Sequence, residues 1–564
     1  MMQRRILAFL SFLLIITTIR AQNYPQNYFR NPLNIPMQLV ANFGELRTNH
    51  WHMGLDIRTQ QKENLPVHAA AEGYIAKVKI EPGGFGRAIY INHPNGYTTL
   101  YAHLNDFWPA LEQYVKAEQY KLESWQVELE IPENLFPVNK GSFIAYSGNT
   151  GGSQGPHVHF EIRDTKTEEC LNPLLFGLPI ADAVPPTISR LAMYDRNRSI
   201  YQQSPQFVPI RKAATLYKLT AASNLIKLGS GKISFAIGAT DRLSNSTNPN
   251  GIYKARILMD SILQSEFILD RISYDETRYL NAQIDYRYKF NGGAYLQNLA
   301  PLPGDKSSIY NTPNNKGILH FTDNEIHKIQ IEVRDAKSNL SVLEFLAQYE
   351  PKIQTSQAYQ SNQFLPENVN VFESEAFEVF TSEFSVYDTV NVVHTVSEVA
   401  AANVISPLNI FCSAAIPTHD SVTIRIKPTV EIAEEDKDRV IIKSVAGTKT
   451  VVEKAQWQQD WVAAKFRQFG SFQAFIDTEP PTINAPPSDL TRATRIVFSP
   501  KDNFKTIKKF RVELDGQWLR FTNDKGLSHI YRFDEKFPKG EHELKVTIED
   551  EAGNVTIKSW NVRR

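Results

Sequence analysis

The strongest constraint on the fold is an internal repeat in the later part of the chain. Asp182-Ala-Val-Pro-Pro-Thr-Ile188 recurs as Asp477-Thr-Glu-Pro-Pro-Thr-Ile483. Two further blocks keep their internal spacing in both copies: Ile252–Asp260 matches Ile507–Asp515, and His327–Asp335 matches His542–Asp550. Asn339 and Asn554 follow the last block at equivalent positions. Matches at three places indicate two copies of one module. Alternating apolar and polar residues before Gly or Asn turns predict an Ig-like β-sandwich for each copy.

The length of 564 residues allows three or four domains at roughly 150 residues each. We place the repeat copies at 184–350 and 478–564, and the diproline sequences mark where they start because proline ends regular structure. Residues 351–477 are also rich in strand patterns and predict a further β-domain. The predicted fold class is therefore mainly β: an antiparallel β-sheet domain over 22–183, followed by three β-sandwich (Ig-like) domains.

The first domain has a different sequence pattern. Between Val67 and Phe160, short β-rich runs such as Tyr74–Ile80 and Ala88–Asn92 alternate with glycine turns, which predicts an antiparallel sheet. Residues 105–137 are instead polar and aromatic, with helical spacing in the first half. We expect this segment to be an insertion over the sheet that narrows a groove or acts as a lid.

The beginning of the chain has the pattern of a secretory signal peptide over residues 1–21. Two positive charges precede a run of about 14 mostly apolar residues, and Ile19-Arg20-Ala21 offers a cleavage site. The alternative, an uncleaved anchor, needs roughly 20 apolar residues. We expect an exported protein with no transmembrane segment after cleavage. Its 61 basic and 61 acidic residues balance, without the basic runs typical of nucleic-acid binding, so nucleic acid is not an expected partner.

Histidines are concentrated in the first domain, where seven of the 13 lie between His50 and His159. His157 and His159 would project from one face of a strand. His52 and Asp56 have helical spacing, but Gly54 and the residues after it favour a turn into a strand. Imidazole and carboxylate are ligands that catalytic zinc prefers. Each spacing taken alone is nevertheless common without a metal.

The residues around these histidines closely resemble the lysostaphin-type, LytM-like zinc metallopeptidases, which cut peptide bonds in bacterial peptidoglycan. The resemblance covers about residues 40–165. It rests on His52-Met-Gly-Leu-Asp56, Tyr101-Ala-His-Leu104 and Gly155-Pro-His-Val-His-Phe-Glu161, with flanking matches at Asn42–Arg47, Pro66–Gly73 and Gly148–Ser153.

The resemblance implies one Zn²⁺ held by His52, Asp56 and His159, with His103 and His157 as catalytic histidines that do not bind the metal. Such a ligand set leaves a fourth position for water, whose pKa falls to about 7 on catalytic zinc. One of the two remaining histidines can accept the proton of that water, and the other can hydrogen-bond the oxyanion. The sequence does not decide which does which.

The other histidines and two polar residues of the Gly148–Ser153 loop are not predicted to bind the metal. We expect surface or supporting roles for His50, His68 and His93, and structural roles for His327 and His542. Asn149 and Ser153 either touch substrate or form a turn.

The predicted function is an exported zinc metalloendopeptidase that hydrolyses peptidoglycan cross-links or stem peptides. The alternative is a non-catalytic or partner-dependent regulator of cell-wall hydrolases, because some members of the resembled family have lost ligands; the five filled positions here favour an enzyme. A third possibility is a binding protein whose β-domains contact cell-envelope partners. The expected location is the periplasm or cell envelope of a Gram-negative bacterium, with an extracellular location as the alternative. A wall of directly cross-linked stem peptides, rather than glycine bridges, fits that location.

Overall fold

The computed structural model describes residues 24–213, 216–351, 362–398, 403–526 and 528–564. Strands predominate over helices, which confirms the mainly-β prediction. The predicted signal peptide lies outside the described residues. None of the helices in the described ranges is both long enough and apolar enough to cross a membrane.

The first domain is built on a large antiparallel sheet, and the predicted strands over 74–80 and 88–92 are present. Its strands lie in the order Leu39–Ala41, Leu55–Arg58, His157–Asp164, Tyr97–Ala102, Arg87–Asn92, Gly73–Ile80 and Val127–Glu130, with Pro137–Val138 and Cys170–Leu171 at its margins. A second, smaller sheet contains Pro66–His68, Phe143–Ser147 and Leu104–Phe107. The hairpin Leu46–Arg47 and His50–Trp51 precedes the first metal-ligand motif.

Side-chain alternation sets the two faces of the large sheet. Val158, Phe160 and Ile162 point into the hydrophobic core of the first domain. Because successive residues of a strand point to opposite faces, His157, His159 and Glu161 share the other face. The predicted strand geometry therefore puts both histidines on the side away from this core.

The segment 105–137 contains the predicted helix in its first half. The helix spans Pro109–Lys121 and begins with proline at its first position, where a missing N–H costs little. Leu111 and Val115 bury its inner side. The strand Val127–Glu130 then adds to the edge of the large sheet beside Gly73–Ile80.

The first repeat copy contains two sheets. One has the order Gln206–Val208, Thr187–Asp195, Lys232–Thr240 and Gln297–Asn298, with Leu319–His320 also paired to Lys232–Thr240. The other has the order Ile210–Ala213, Leu216–Leu219, Leu340–Tyr349, Ile326–Arg334, Lys254–Met259, Ile262–Ile268 and Tyr310–Asn311, with Leu225–Leu228 also paired to Leu340–Tyr349. Short helices span Leu280–Gln283 and Tyr286–Phe290, and Arg271–Ile272 pairs with Cys170–Leu171 of the first domain.

The last repeat copy reproduces the central strand order of the first. Its larger sheet runs Gln517–Trp518, Lys509–Leu514, Glu541–Glu549 and Val555–Arg563, and its smaller sheet pairs Arg495–Phe498 with His529–Arg532. Lys509–Leu514 and Glu541–Glu549 correspond to Lys254–Met259 and Ile326–Arg334, as the repeated blocks predict. The two copies therefore resemble each other in structure as well as in sequence.

The intervening segment forms two five-stranded sheets. One runs Val371–Glu373, Phe377–Phe380, Val422–Ile426, Trp461–Phe466 and Gln456–Gln458. The other runs His394–Ser397, Leu408–Phe411, Gly470–Ile476, Val440–Ala446 and Lys449–Lys454, and a small pair joins Gln363–Phe364 with Val390–Asn391. This segment is β-rich as predicted, whereas the exact domain boundaries and the Ig-like assignment stay predictions.

Candidate metal centre

Neighbouring strands of the large sheet bring the three motifs together. His159 pairs directly with Asp56 on one side and with Ala102 on the other, so His103 follows at the end of the adjacent strand. Asp56 lies in the strand Leu55–Arg58, as the turn into a strand predicts. Gly54 is required before it, because a Cβ at that position would lie 2.5 Å from the carbonyl oxygen of Phe160.

The three predicted ligands form one tight cluster of acceptor atoms. His52 Nε2, Asp56 Oδ1 and His159 Nδ1 lie 3.0 Å from one another in every pair. All three residues are buried, with 5–7% of their surface exposed. Three such atoms can hold a metal ion.

Hydrogen bonds on the far side of each ring show why a cation fits there. His52 Nδ1 donates to the carbonyl oxygen of Asn42 at 2.8 Å, and His159 Nε2 donates to Glu161 Oε1 at 2.9 Å. With a cation bound, these two bonds would leave each ring neutral, with the lone pair of its other nitrogen directed at the cluster. Such a set of atoms at 3.0 Å requires a positive charge between them. Without a metal, protons supply it: burial opposes protonation of His159, but hydrogen bonds to Asp56 and Glu161 raise its pKa to about 9.

Asp56 remains ionised in this setting. Burial alone would raise the pKa of its carboxyl group, but the surrounding imidazoles of His52, His157 and His159 hold that pKa well below its usual value. Arg47 adds a positive charge, with its guanidinium 3.3 Å from Asp56 Oδ2. The cluster therefore offers a carboxylate over the whole physiological pH range.

The two other predicted histidines lie beside the cluster. His103 Nδ1 donates to the carbonyl oxygen of Thr150 at 2.9 Å, and His157 Nδ1 donates to that of Gly155 at 2.8 Å. Their rings lie 4.7 Å apart, and His157 Nε2 is 3.3 Å from Asp56 Oδ1. Each ring thus directs its Nε2 atom away from its backbone partner.

His103 reaches this position through an unusual backbone conformation. Its φ of 59° is in the left-handed region, which costs a non-glycine residue on the order of 1–2 kcal/mol. Burial, followed by the neighbouring His157 and His159, lowers the pKa of His103 to about 3. The ring is therefore neutral at rest and acts as an acceptor at Nε2.

The sequence analysis missed the residues that support the ligands. Glu161 is completely buried and accepts hydrogen bonds from His159 and from the hydroxyl of Tyr274 at 2.6 Å. Burial opposes its ionisation, but Arg163 and His159 lower the pKa of Glu161 to about 2. Its position two residues after His159, on the same strand face, was a signal for this role.

The remaining candidate residues lie outside the group of three predicted ligands. His93 is buried between the carbonyl oxygen of Glu72 and the hydroxyl of Thr99. Ser153 Oγ donates to the carbonyl oxygen of Gly155 at 2.6 Å, so this side chain shapes the loop while it lines the groove. Further contacts are His50 with Thr48, His68 with Pro32, His327 with Asp260, His542 with Asp515 and Asn149 with Lys525.

The metal cluster lies in an open groove of about 1620 Å³. It is lined by the loops around Gly84–Phe85 and Gly152–Pro156, and by Arg47, Thr48 and His50. Tyr274 of the first repeat copy also lines it. A segment of extended polymer can therefore reach the cluster from solvent.

Comparison with known proteins agrees with this geometry. Residues 50–120 match peptidase family M23, and residues 361–477 match the Zu5-like domain. An uncharacterized metalloprotease of Haemophilus influenzae is 36% identical over 128 residues, covering 23% of this chain and 21% of that protein. The DD-carboxypeptidase/endopeptidase Mpg of Neisseria meningitidis serogroup B is 34% identical over 134 residues, covering 24% of each protein. This chain thus spans less than a quarter of the length of either relative.

Among solved structures, the catalytic domain of lysostaphin from Staphylococcus simulans is 22% identical, with a TM-score of 0.17. The similarity covers 24% of this chain and 87% of that domain. The histidine motifs, their assembly on one sheet and the family match agree with one another. The first third of the chain therefore contains a segment that matches peptidase family M23, as its resemblance to the lysostaphin-type peptidases predicts, and the later β-rich part contains a segment that matches the Zu5-like domain.

Proposed function

We propose that this protein is a zinc metalloendopeptidase that hydrolyses peptide bonds in peptidoglycan. The observation that carries the proposal is the convergence of two imidazole nitrogens and one carboxylate oxygen at 3.0 Å, beside two further histidines whose Nδ1 atoms are held by backbone carbonyl oxygens. Ligand atoms on tetrahedral zinc at about 2.0–2.2 Å lie about 3.3 Å from one another. A small outward movement of the present cluster provides that spacing, and its N, N, O donor set suits zinc.

The chemistry divides between the metal and the side chains. Zinc bound to His52, Asp56 and His159 would supply a polarised scissile carbonyl and a water activated near neutral pH. His103 and His157 then face that reaction from one side of the groove. A ring that accepts the proton of the water at Nε2 acts as the general base, and a ring that carries a proton at Nε2 can donate a hydrogen bond to the developing oxyanion. We propose these two residues as the general base and the oxyanion donor, in an order that separate substitutions will assign.

We propose stem peptides as the substrate, with the cleaved bond beside a D-amino acid. The supporting observations are the name of the Neisseria relative, a DD-carboxypeptidase/endopeptidase, and a groove open enough for a peptide strand. This substrate requires export to the periplasm or cell envelope. The signal-peptide pattern of residues 1–21 supports that location, and the β-domains are proposed to contact envelope partners.

The test is mass spectrometry of the products released from isolated peptidoglycan by purified residues 22–564 with zinc. His159→Ala removes a ligand, and His68→Ala, which changes a histidine of the same domain outside the metal cluster, is the matched control. We expect loss of cross-linked fragments with wild type and His68→Ala, and none with His159→Ala or after chelation.

Two results would contradict the proposal. Cleavage that persists in His159→Ala would exclude the assigned metal site. An intact protein that binds zinc but leaves peptidoglycan uncut would favour the regulator of other hydrolases. His103→Ala and His157→Ala, assayed separately, should each lower kcat by about 10²-fold or more, the range for a general acid–base group.

A further inference from the structure

Three aspartates from distant parts of the first repeat copy meet at one point. One oxygen from each of Asp182, Asp241 and Asp335 lies within 4.8 Å of the other two. Asp241 and Asp335 are only 3% and 2% exposed. We name these residues the first aspartate cluster. Asp182 lies just before the diproline sequence, at the predicted boundary with the peptidase domain.

The last repeat copy contains an equivalent group, which we name the second aspartate cluster. It consists of Asp477, Asp502 and Asp550, again with one oxygen each within 4.8 Å. Asp477 precedes the second diproline sequence, at the predicted boundary after the Zu5-like segment. The same arrangement thus recurs at two predicted domain boundaries.

The strand register shows that the members of the two clusters correspond. Thr187 pairs with Thr240, and Thr482 pairs with Lys501; Asp241 and Asp502 are the next residues after the second members of these pairs. Asp335 and Asp550 directly follow the matching strands Ile326–Arg334 and Glu541–Glu549.

Each group is also held by an asparagine. Asn339 Nδ2 donates to Asp335 Oδ2 at 2.7 Å, and Asn554 Nδ2 donates to Asp550 Oδ2 at 2.9 Å. The same two amides also contact the carbonyl oxygens of Asp182 and Asp477. The clusters therefore share their local geometry and not only their acidic residues.

The carboxylates lack a protein counter-charge. Among the described residues, no Lys, Arg or His forms a salt bridge with any of the six aspartates. Burial, followed by the charges of Asp335 and Asp182, raises the pKa of Asp241 to about 7. Bringing three carboxylates together out of water is unfavourable unless a cation compensates their charge.

Unsatisfied buried groups face the first aspartate cluster. Asp241 Oδ1 has no hydrogen-bond partner among the described residues. Asn250 is 2% exposed, and its side-chain nitrogen and oxygen both lack partners in the same set. Asp241 and Asn250 exchange backbone hydrogen bonds of 2.9 and 2.8 Å, so their side chains project from the same face. The amide of Asn250 therefore points to the side on which the aspartates meet.

The second aspartate cluster also contains a carboxylate oxygen without a hydrogen-bond partner among the described residues. Asp502 Oδ2 accepts hydrogen bonds from the backbone of Phe504 and from Thr506. Asp502 Oδ1 is buried and has no partner among the residues described. In both copies, the aspartate at the equivalent position thus leaves one oxygen free for a ligand.

We propose that each aspartate cluster binds one Ca²⁺ ion. Calcium takes oxygen ligands at 2.3–2.6 Å, so two ligands on opposite sides of the ion lie about 4.6–5.2 Å apart. Carboxylate, amide and backbone carbonyl oxygens are the ligand types that it prefers. Zinc favours nitrogen and sulfur donors, and magnesium requires a more compact octahedron at 2.0–2.1 Å.

The position of the two ions indicates their role. Each ion would link the segment that enters a repeat copy with two strand ends of that copy. It would therefore fix the orientation of the copy relative to the preceding domain. Binding would stiffen the predicted boundaries at 183–184 and 477–478. This proposal is independent of the peptidase activity.

The test uses the full chain 22–564, stripped with EGTA and dialysed against about 5 mM Ca²⁺, above the roughly 0.1–1 mM dissociation constants of extracellular calcium modules. We expect two bound Ca²⁺ per chain and a higher Tm than in EGTA. Asp241→Asn and Asp502→Asn should each lose one ion, and the double variant should lose both and the Tm increase. Asp323→Asn, an exposed aspartate of the first repeat copy, should retain two.

The asparagine variants should fold whether or not calcium is bound. Asparagine has the shape of aspartate and removes a repelling charge, so the variants should fold and be at least as stable as wild type in EGTA. Wild type that binds no Ca²⁺ and shows no Tm increase would overturn the proposal, and the carboxylates would then be neutralised by protons. An equal Tm increase with Mg²⁺ would overturn the assignment to calcium.

Discussion

Glu161→Gln tests how the buried carboxylate supports the metal centre. Glu161 Oε1 accepts the proton of His159 Nε2 at 2.9 Å, while Oε2 lies 2.7 Å from the guanidinium of Arg163. The substitution keeps the size of the side chain and removes its charge. It therefore alters the basicity of His159 while leaving the ligand in place.

The expected loss of affinity follows from these contacts. A carboxylate behind a ligating histidine raises the basicity of the ring, and losing such a partner typically costs 10–100-fold in metal affinity. That range equals about 1.4–2.8 kcal/mol. Arg163 also loses its partner while only 9% of its side chain is exposed, which destabilises the fold by up to about 3–5 kcal/mol.

The assay separates these two effects. Zinc affinity is measured by competition with a chromophoric chelator, and the free energy of unfolding is measured on metal-free protein by urea denaturation. Tyr274→Phe is the matched control, because it removes one hydrogen bond to Glu161 and leaves the charge. We expect it to lower zinc affinity by less than about fivefold, in keeping with a net hydrogen-bond energy of about 1 kcal/mol or less. Wild-type zinc affinity in a folded Glu161→Gln variant would refute the proposed support of His159.

Three further predictions address other contacts. Lys525→Ala removes an amine that donates to two backbone oxygens of the groove loop, so kcat/KM on peptidoglycan should fall, by about tenfold at most; Lys536→Ala is the control. Trp51→Phe leaves the fully buried Gln283 without the indole donor at 2.7 Å, which should lower the free energy of unfolding by about 1–3 kcal/mol in urea. Burial opposes protonation of His327, but hydrogen bonds to Asp260 and Asp323 raise the pKa of His327. His327→Gln should therefore lower stability by under about 1 kcal/mol at pH 6, and the difference should vanish as pH rises through the raised pKa.

Local sequence patterns predicted much of the sheet and the candidate ligands. The alternation in His157–Asp164 predicted two histidines on one face, and Gly54 before Leu55–Arg58 predicted the turn that brings Asp56 beside them. Both predictions depend on a few neighbouring residues and on strand periodicity. The internal repeat likewise predicted corresponding strands, because its matched blocks coincide with them.

The supporting contacts could not be predicted in this way. Tyr274 and Glu161 are 113 positions apart, and Asn42 and Gly251 are 209 apart. Each contact depends on how separate domains pack, which strand periodicity does not specify. His103 is a local exception, since its left-handed φ of 59° is unusual for histidine and no neighbouring glycine marks the turn.

The aspartate clusters show a related limit. Asp182 and Asp477, like Asp335 and Asp550, lie inside matched blocks of the repeat, so the sequence alignment exposes them. Asp241 and Asp502 lie outside those blocks and correspond through strand register alone. Only the three-dimensional structure shows that Asp241 joins the two matched aspartates of the first copy, and that Asp502 joins those of the last copy.

The first domain and the first repeat copy share core packing and hydrogen bonds next to the proposed metal centre. His52 lies between Trp51 and Met53, whose side chains belong to the hydrophobic core of the first repeat copy and not to the core of the peptidase sheet. Asn42, whose carbonyl oxygen accepts from His52, exchanges two side-chain hydrogen bonds of 2.8 Å with the backbone of Gly251. One proposed metal ligand is therefore positioned by residues of another domain. Because a metal site weakens when its ligands lose their orientation, the affinity of the cluster depends on how that domain is docked.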